Sequence, residues 1–389
     1  MMTTPAATVW PQSQGSLLKS LVKLSAAWVA VVPMASAVFS TPSCTPSTPT
    51  WLARAGEARA RQPKAAKRPI LGEKPRMAAL RFVPSGCEAL DEESVEFMQQ
   101  PLPASLEEII AHKREEVARR KSEVPFSELE AMVAQAEPPR NLFAAVTRTD
   151  MGHPTRVIAE VKRKSPSAGW IRQEWARDDF SPESIAEQYE AAGASAISCL
   201  TDERFFAGHL SYIQRIKDRV AIPVLRKDFL IDPWQLWEAR AAGADAVLLI
   251  AECLNDAQIV DMLILAQQLQ LTTLLEVHSM ENLLRARPHV GFPHASYSLL
   301  GINNRDLSSM TVDLNHTLRL LDLVDDRSVL VSESGIKTPA DLVRLRNHQV
   351  RIVLVGEHLM RAERPGDALR ALLTRPGGGP EAGMLEAKE

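Results

Sequence analysis

Two near copies of one short stretch decide the fold of this chain: residues 190–200 read "EAAGASAISCL" and residues 240–250 read "RAAGADAVLLI". In each, a helical pattern ends at a glycine, Gly193 or Gly243, where a positive φ angle costs least. The chain then passes directly into an apolar run that is typical of a buried strand. A helix exit repeated in this form predicts a repeated unit of one helix and one strand.

Eight apolar runs of this kind occur between residues 155 and 357. A polar cluster and a helical segment follow each run, and apart from a longer first interval the spacing is that of one strand, one loop and one helix. Ser181 and Thr338 are predicted helix caps, because each precedes a proline suited to a first helical turn. The eight runs are "RVIAEVK", "SAISCL", "PVLRKDF", "DAVLLIA", "TTLLEVH", "SLLGINN", "VLVSESG" and "RIVLVGE".

Continuous apolar strands separated by helices predict a parallel sheet with helices on both faces. Eight units fit a closed (β/α)8 TIM barrel of the α/β class, which we place at residues 151–375. The alternative is an open doubly wound sheet, and the lack of a GxGxxG fingerprint after the first strand counts against it. We predict an N-terminal helical extension over residues 91–150, with one or two helices and Ser105 as a cap, and a disordered tail over residues 376–389.

The first 90 residues differ from the rest in charge, with eleven Lys and Arg against three acidic residues. Lys19 and Lys23 precede a short apolar stretch that ends in the small residues 35–37, as in a secretory signal, and a basic Ser/Thr/Pro-rich segment follows. With Phe39 after the expected cut, this pattern resembles the bipartite signal and transit leader of complex plastids. It predicts a protein of the plastid (chloroplast) stroma; the alternative is a disordered basic tail.

The composition also argues against several classes of function. Cys44 and Cys87 fall in the leader, Cys199 and Cys253 stand alone, and no CxxC spacing occurs, so neither a zinc site nor a disulfide framework is expected. The acidic remainder of the chain lacks interleaved basic and aromatic residues, which argues against nucleic-acid binding. We expect a monomer that is not attached to a membrane in its mature form.

Polar side chains gather at the ends of the eight runs, where barrels of this class hold their active sites. For any one lysine or glutamate alone, a salt bridge at the barrel rim or a solvated charge is the better explanation. As a set they converge on one mouth, where opposite charges can hold an amine and a carboxylate ready for proton transfer. The run ends are Glu160 and Lys162, Thr201 and Asp202, Lys227 and Asp228, Glu252, Glu276 and His278, Asn303 and Arg305, Ser332 to Gly335, and Gly356 and Glu357.

The triplet Arg226, Lys227 and Asp228 interrupts an apolar strand. Lys227 is predicted to be a proton donor or an anion ligand at the mouth. Arg226 is one residue out of phase and should point away from the mouth, where a structural ion pair is expected. Two roles remain open for Asp228, a loop anchor or a charge that orients the lysine.

Glycines follow the last two runs, in "SESGI" and "VGEHLMR". Barrels often bind a phosphate there through backbone N–H groups, although a glycine can also serve a tight turn alone. We therefore expect a small phosphorylated substrate that is handled by acid–base chemistry without a metal or other cofactor.

Taken together and in order, eight motifs within residues 103–375 resemble indole-3-glycerol phosphate synthase of tryptophan biosynthesis. That family is a carboxy-lyase without cofactor or metal. It closes the indole ring of 1-(2-carboxyphenylamino)-1-deoxyribulose 5-phosphate with loss of carbon dioxide and water. The motifs are "IAEVKRKSPSAG", "CLTDERFFAGHL", "PVLRKDFLID", "GADAVLLIA", "LLEVH", "GINNRDL", "VSESGI" and "VGEHLMR".

The resemblance implies a catalytic set. Lys227 corresponds to the general acid that acts on the ribulose carbonyl or on the departing hydroxyl, and Glu276 is its acid–base counterpart in dehydration. Lys162 would bind the phosphate and share the acid role, while Glu160 would orient the lysines. The set is completed by Asn303 and Glu333 at the same mouth.

The resemblance also implies binding residues. Asn303 and Arg305 would hold the substrate's hydroxyls and its anthranilate carboxylate. A planar carboxylate suits the forked donors of an arginine guanidinium. Phe206 and Phe229 would form walls around the anthranilate ring, although packing in the hydrophobic core explains these two aromatic residues equally well. His358 is a departure, because the family usually has Ser there, and a histidine adds charge below about pH 6.5. The full binding set is Ser165, Phe206, Phe229, Arg305, Ser334, Gly335, Gly356 and Glu357.

Two other functions stay open at this stage. One is phosphoribosylanthranilate isomerase, a related phosphate-binding barrel, but a Cys/Asp pair is expected there in place of this lysine-rich mouth. The other is an inactive relative that serves as a binding partner, which the retained charged residues argue against.

Overall fold

Eight parallel strands close into a barrel in the computed structural model, which describes residues 104–148, 153–177, 180–306 and 309–374. The predicted (β/α)8 barrel is therefore confirmed. The predicted leader, residues 91–103 and the predicted tail lie outside the described residues. The barrel strands are β1 (Arg156–Val161), β4 (Ala196–Leu200), β5 (Val224–Lys227), β6 (Ala246–Ile250), β7 (Thr272–Val277), β8 (Ser298–Asn303), β9 (Leu330–Glu333) and β10 (Ile352–Val355).

Each barrel strand pairs with its neighbour in the chain, and β10 pairs with β1 to close the ring. A short antiparallel hairpin, β2 (Lys164–Ser165) and β3 (Gly169–Trp170), lies in the loop that follows β1. This hairpin accounts for the longer first interval in the sequence repeat.

Thirteen α-helices accompany the strands in the described part of the chain. None of these helices is both long and apolar enough to span a membrane. They are α1 (Leu106–Glu123), α2 (Phe126–Gln135), α3 (Leu142–Thr147), α4 (Pro182–Ala191), α5 (Glu203–Phe206), α6 (Tyr212–Lys217), α7 (Pro233–Ala241), α8 (Asp256–Gln268), α9 (Met280–Ala286), α10 (Asn315–Leu320), α11 (Pro339–Asn347), α12 (Glu357–Met360) and α13 (Pro365–Leu373).

The predicted helix boundaries follow from local chemistry. The side chains of Ser181 and Thr338 accept hydrogen bonds from the first turns of α4 and α11, and a proline follows each. Gly193 and Gly243 have φ angles of 95° and 86° and lie one residue beyond the C-caps of α4 and α7. The repeated helix exit thus works as the sequence indicates, because glycine adopts this conformation without a steric penalty.

Alternation along each strand decides what faces the inside of the barrel. Leu225, Leu274 and Val331 belong to the apolar cluster inside the barrel. Two residues later, on the same face, come Lys227, Glu276 and Glu333, because side chains alternate between the two faces of a strand. The apolar floor therefore continues directly into a charged layer at the carboxyl ends of the strands.

Within residues 104–148, the N-terminal extension contains three helices, not the one or two predicted. Pro125 sits at the N-cap of α2, and Pro138 and Pro139 follow its end, so the backbone cannot continue as one helix. The predicted cap Ser105 accepts a hydrogen bond of 3.2 Å from Glu108 N at the start of α1.

The extension contacts both ends of the barrel. At the floor, Leu142 of α3 packs into the inner apolar cluster, and Phe143 N donates to Thr272 Oγ1 at the start of β7 over 3.3 Å. At the mouth, Leu106 and Ile109 of α1 line the large pocket described next.

Candidate active site

A pocket of about 610 Å³ opens at the carboxyl ends of the strands. This is the end at which barrels of this class carry out catalysis, and the volume suits a small organic ligand. All fourteen residues predicted from the sequence line it: Glu160, Lys162, Ser165, Phe206, Lys227, Phe229, Glu276, Asn303, Arg305, Glu333, Ser334, Gly335, Gly356 and Glu357.

Lys227 stands at the end of β5 between two carboxyl groups. Its Nζ lies 2.8 Å from Glu276 Oε2 and 3.5 Å from Glu333 Oε2. Burial alone would lower the pKa of this amine, but the charges of Glu276, Glu333 and Glu160 raise it above its ordinary value. Lys227 therefore carries its proton into any reaction at this site.

Glu276 accepts hydrogen bonds from two side chains and lies beside a third polar group, the imidazole of His278. Lys227 occupies Oε2, whereas Asn303 Nδ2 and His278 Nε2 approach Oε1 at 3.3 Å and 3.2 Å. Burial acts to raise the pKa of this carboxyl, but Lys227 and His278 hold it well below its usual range. Glu276 is thus a carboxylate that can accept a proton.

Glu333 has the opposite protonation state. Burial and the nearby charge of Glu276 raise the pKa of its carboxyl well above the usual value. Gly301 of β8 provides the space for this side chain, because a Cβ atom there would collide with Glu333 Oε1. Two neighbouring carboxyl groups with pKa values pushed apart form a typical acid and base pair.

A second lysine and glutamate pair lies across the mouth, where Lys162 Nζ is 2.7 Å from Glu160 Oε1. The carboxyl group of Glu160 occupies space left by Gly356 at the end of β10, where a Cβ atom would overlap it. Lys162 and Lys227 are therefore each matched by a buried glutamate, Glu160 on β1 and Glu276 on β7.

The loops after β9 and β10 form one end of the pocket. Ser334 and Gly335 both have positive φ angles, 66° and 83°, in the turn after β9. Lys337 and Arg361 bring positive charge to the pocket lining here, and His358 also lines it. Burial, reinforced by Lys337, lowers the pKa of His358 below its ordinary value, so this imidazole is neutral at neutral pH.

Arg305 is tied to this end of the pocket. Its guanidinium reaches Glu357 Oε2 over 3.2 Å and Met310 O over 3.1 Å, and its backbone N–H donates to Asn303 Oδ1 over 3.0 Å. The forked group is only partly used, which leaves donors for an anionic ligand.

An apolar wall closes the other end. The rings of Phe206 and Phe229 lie 6.1 Å apart at 42°, next to Leu106 and Ile109 of α1 in the pocket lining. On the hairpin side, Ser165 Oγ accepts from Ala168 N over 3.1 Å and so holds the turn of the hairpin. One end of the pocket is therefore apolar and the other is cationic.

The arrangement combines a protonated amine, a carboxylate and a neutral carboxyl group with a cationic end and an apolar end. It suits proton transfer on a ligand that carries both a ring and an anionic group. In the described part of the chain, no group of three or more His, Cys, Asp or Glu side chains is arranged to hold a metal ion.

The family model described as "Indole-3-glycerol phosphate synthase" matches residues 106–372, which is most of the chain. The chain belongs to the indole-3-glycerol phosphate synthase family. The match begins at the first helix of the extension and ends within the last helix of the barrel, so both parts belong to the family's common architecture.

Curated relatives of this chain include proteins named indole-3-glycerol phosphate synthase from three bacteria. The protein of Acidithiobacillus ferrooxidans is 46% identical over 268 residues, covering 69% of this chain and 97% of the relative. The proteins of Rhodopirellula baltica and Rhodospirillum rubrum are 45% and 44% identical over 269 residues, covering 69% of this chain and 98% of each relative. The resemblance inferred from the eight motifs is thereby confirmed.

One solved structure with a similar fold is a more distant relative. The 3-hexulose-6-phosphate synthase of Salmonella typhimurium covers 56% of this chain and 96% of its own, with 12% sequence identity and a TM-score of 0.42. A likeness at that level does not bear on function.

The triplet that interrupts β5 in this synthase-family chain divides as its phase predicts. Arg226 is buried outside the barrel wall, with NH1 at 2.9 Å from Glu238 Oε2 and NH2 at 3.1 Å from Asp228 Oδ2. Asp228 is a loop anchor and contacts Lys113 of α1 at 2.9 Å, not Lys227.

Two residues of the synthase-family site have roles that the sequence motifs do not predict. His278 bridges Glu276 and Glu252, and its signal was its position two residues after Glu276 on the same strand face. Lys113 is fully buried, and its signal was a lysine within the apolar stripe of α1 formed by Ile109, Ile110 and Val117.

Proposed function

We propose that this protein is an indole-3-glycerol phosphate synthase. It converts 1-(2-carboxyphenylamino)-1-deoxyribulose 5-phosphate to indole-3-glycerol phosphate with loss of carbon dioxide and water. The observation that carries this proposal is the 2.8 Å contact between Lys227 and Glu276 inside the pocket of a chain that belongs to this family.

Ring closure needs an acid at the ribulose carbonyl. As the aromatic carbon bearing the carboxylate attacks that carbonyl, negative charge develops on its oxygen. Lys227 donates a proton there; an alkoxide is a stronger base than an amine, so the transfer is downhill even though the pKa of Lys227 is raised. The new ring then loses carbon dioxide, and the electron pair of the broken bond restores aromaticity.

Dehydration needs an acid and a base together. The hydroxyl leaves as water with a proton from the acid, and Glu276 accepts the proton that the new ring loses. Glu276 can return that proton to Lys227 across their 2.8 Å contact. The overall reaction takes one proton from solvent, because carboxylate is converted to neutral carbon dioxide.

The other residues hold the substrate or tune these groups. Glu160 keeps Lys162 in place, and Lys162 binds the phosphate and shares the acid role. Glu333 keeps its proton and borders both Lys227 and Glu276, so it is a second proton donor for the departing hydroxyl.

Substrate orientation follows from the two ends of the pocket. The phosphate lies against the backbone of Gly335, Gly356 and Glu357, beside Ser334. The anthranilate ring lies against Phe206 and Phe229, its carboxylate is held by Arg305 and Ser165, and Asn303 binds a ribulose hydroxyl.

Turnover of the purified chain tests this proposal. The enzyme is incubated with the carboxyphenylamino-deoxyribulose phosphate, and indole fluorescence is followed. Formation of indole-3-glycerol phosphate supports the proposal. If none forms at any protein concentration while the same substrate binds, the chain is a binding protein and the enzymatic proposal is wrong.

We also propose that residues 1–90 direct this enzyme to a plastid stroma, as a bipartite leader of a complex plastid. Support comes from their basic, Ser/Thr/Pro-rich composition and from the family match, which begins only at residue 106. A fluorescent reporter fused to residues 1–90 should enter the plastid. A reporter that stays in the cytosol would contradict this assignment.

The mature enzyme is proposed to act as a monomer on its small substrate, without nucleic acid or membrane. The acidic charge of the chain beyond residue 90 supports the absence of a nucleic-acid partner. Light scattering of the purified protein should give the mass of one chain, and a dimer mass would contradict this.

A further inference from the structure

Glu276 receives a contact that the proposed chemistry does not use. His278 lies two residues further along the same strand end, and its Nε2 is 3.2 Å from Glu276 Oε1. Because Lys227 occupies the other oxygen at 2.8 Å, the two cations approach opposite oxygens of one carboxylate. The carboxylate is therefore fixed in rotation as well as in charge.

His278 is itself fixed by Glu252. This glutamate lies in the turn after β6, the strand that pairs with β7. One of its oxygens accepts from the backbone N–H of His278 over 2.8 Å, and the other lies 3.2 Å from the ring Nδ1. A carboxylate that holds the backbone and the ring of the same histidine sets the orientation of that ring.

The chain of contacts is shielded from solvent. The side chains of His278 and Glu276 are 6% and 3% exposed, and Glu252 is 15% exposed at its outer end. Charged and titratable groups face His278 from every side: Glu252 after β6, Glu276 on β7, Glu333 on β9 and His316 on α10. Carboxyl groups outnumber the one other imidazole around this ring.

We propose that His278, oriented by Glu252, is a positioning residue that keeps Glu276 ionised and holds it in the rotamer that faces Lys227. This inference rests on the proposed function, and it explains how Glu276 remains a base beside a second carboxyl group. Without a cation at Oε1, Glu276 and Glu333 compete for the charge of Lys227 alone.

The electrostatics of the imidazole agree with this role. Burial disfavours the charged ring, but hydrogen bonds and charge from Glu252 and Glu276 raise the pKa of His278 to about 9. The ring is then an imidazolium at neutral pH, with Nδ1 at 3.2 Å from Glu252 Oε2 and Nε2 at 3.2 Å from Glu276 Oε1.

Protonation of His278 can be measured without turnover. In protein labelled with ¹⁵N-histidine, the resonances missing from His278→Gln identify the ring. We expect them to stay at imidazolium values through pH 7.5 in the wild-type chain, and to titrate at lower pH in Glu252→Gln. An imidazole that titrates near pH 6.5 in the wild type overturns the proposal, whatever the enzyme activity.

Steady-state kinetics then distinguishes the effect of His278 on the position of Glu276 from the effect of its positive charge. In His278→Ala we expect kcat to fall roughly 10-fold to 10²-fold with KM nearly unchanged, the scale of a misplaced reacting group. The acid limb of the kcat–pH profile should move to higher pH, because Glu276 loses a positive neighbour. His278→Gln keeps an N–H donor without charge, so it should recover much of kcat while its acid limb stays shifted.

Controls keep the outcomes distinct. His348→Ala, at an exposed histidine after α11, should keep the wild-type profile. If His278→Ala does not fold, Glu252→Gln and His278→Gln carry the comparison. An unshifted acid limb in these variants overturns the proposal. A wild-type chain that holds the imidazolium but forms no indole product contradicts the proposed function and leaves the contact with Glu276 standing.

Discussion

Lys113 of α1 and Asp228 at the end of β5 form an ion pair of 2.9 Å that is sealed from solvent, with side chains 0% and 1% exposed. The same ammonium contacts Asp202 at the end of β4, also at 2.9 Å. One lysine of the extension thus joins two strand ends, and one of these lies next to the predicted catalytic Lys227. The extension is in this way part of the active-site framework.

Removing that ammonium should be costly. Lys113→Met leaves Asp202 buried without a cation and Asp228 with Arg226 alone, and breaking a buried pair typically destabilises a protein by roughly 3–5 kcal/mol. We expect a loss of that size in the free energy of unfolding in urea. Lys121→Met, on the same helix but paired with Asp232 at the surface, should change it by less than about 1 kcal/mol. Equal losses in the two variants would contradict this account.

The same network predicts a pH dependence on the acid side. Burial would raise the pKa of Asp228, but Lys113 and Arg226 lower it below the ordinary value. A carboxyl group with a depressed folded-state pKa contributes stability above its unfolded pKa, about 3.9, and loses that contribution as pH falls. Unfolding free energies measured between pH 3 and 7 should therefore decrease less steeply on the acid side in Asp228→Asn than in the wild type. Asp322→Asn, at a fully exposed side chain, should keep the wild-type slope.

Turnover should depend on Lys227 and Glu276 separately. Lys227→Ala and Glu276→Gln are each expected to lower kcat by at least ~10²-fold, the usual contribution of an acid–base group. Steady-state kinetics with the carboxyphenylamino-deoxyribulose phosphate measures this, with Lys121→Ala as the control. Full rates in both variants would show that the assigned roles are wrong even though the fold is right.

Gly356 should be intolerant of a side chain. An added Cβ atom would overlap the carboxyl group of Glu160, so Gly356→Ala introduces crowding against that side chain. We expect circular dichroism like that of the wild type and a clear loss of kcat, because Glu160 must move away from Lys162. Adding Glu160→Asp, which shortens the carboxylate, should recover part of this loss. Wild-type kcat/KM in the single variant would contradict the crowding argument.

His358 should influence substrate affinity only in acid. Its pKa lies below the ordinary histidine value, so the ring is neutral above about pH 6.5 and gains charge only below that. The ratio of KM in His358→Ser to KM in the wild type should be near one at pH 8 and rise toward pH 5.5. Because both proteins receive the same substrate, titration of the phosphate cancels in the ratio. A ratio that is constant with pH would exclude a charged His358 at this site.

The barrel and its catalytic layer could be predicted because both depend on local repeats. Short segments of sequence are enough to show the helix exits at Gly193 and Gly243. They also show the two-residue alternation along β5 and β7. They are enough to place Lys227 and Glu276 inside the barrel and Arg226 outside it. The family motifs then supplied the chemistry for which these positions are suited.

The features that could not be predicted depend on contacts between segments that are far apart in the sequence. No local pattern shows that Lys113 meets Asp228, because the two are joined only when α1 packs on the mouth of the barrel. The division of charge between Glu276 and Glu333 depends on space left by Gly301 on a third strand. The hairpin after β1 was hidden in a longer interval, because its strands are two residues each.

The extension has a consequence for the order of folding. Its helices leave the ribosome before the barrel strands, but the partners of Arg140 and Lys113 come about a hundred residues later, at Asp245 and Asp228. Contacts of such long sequence separation form late, because the loop between them must close first. During synthesis, the apolar stripe of α1 and the floor residue Leu142 therefore stay exposed, because the surfaces on which they pack do not yet exist. They dock only after the strands that form the mouth and the floor have been made.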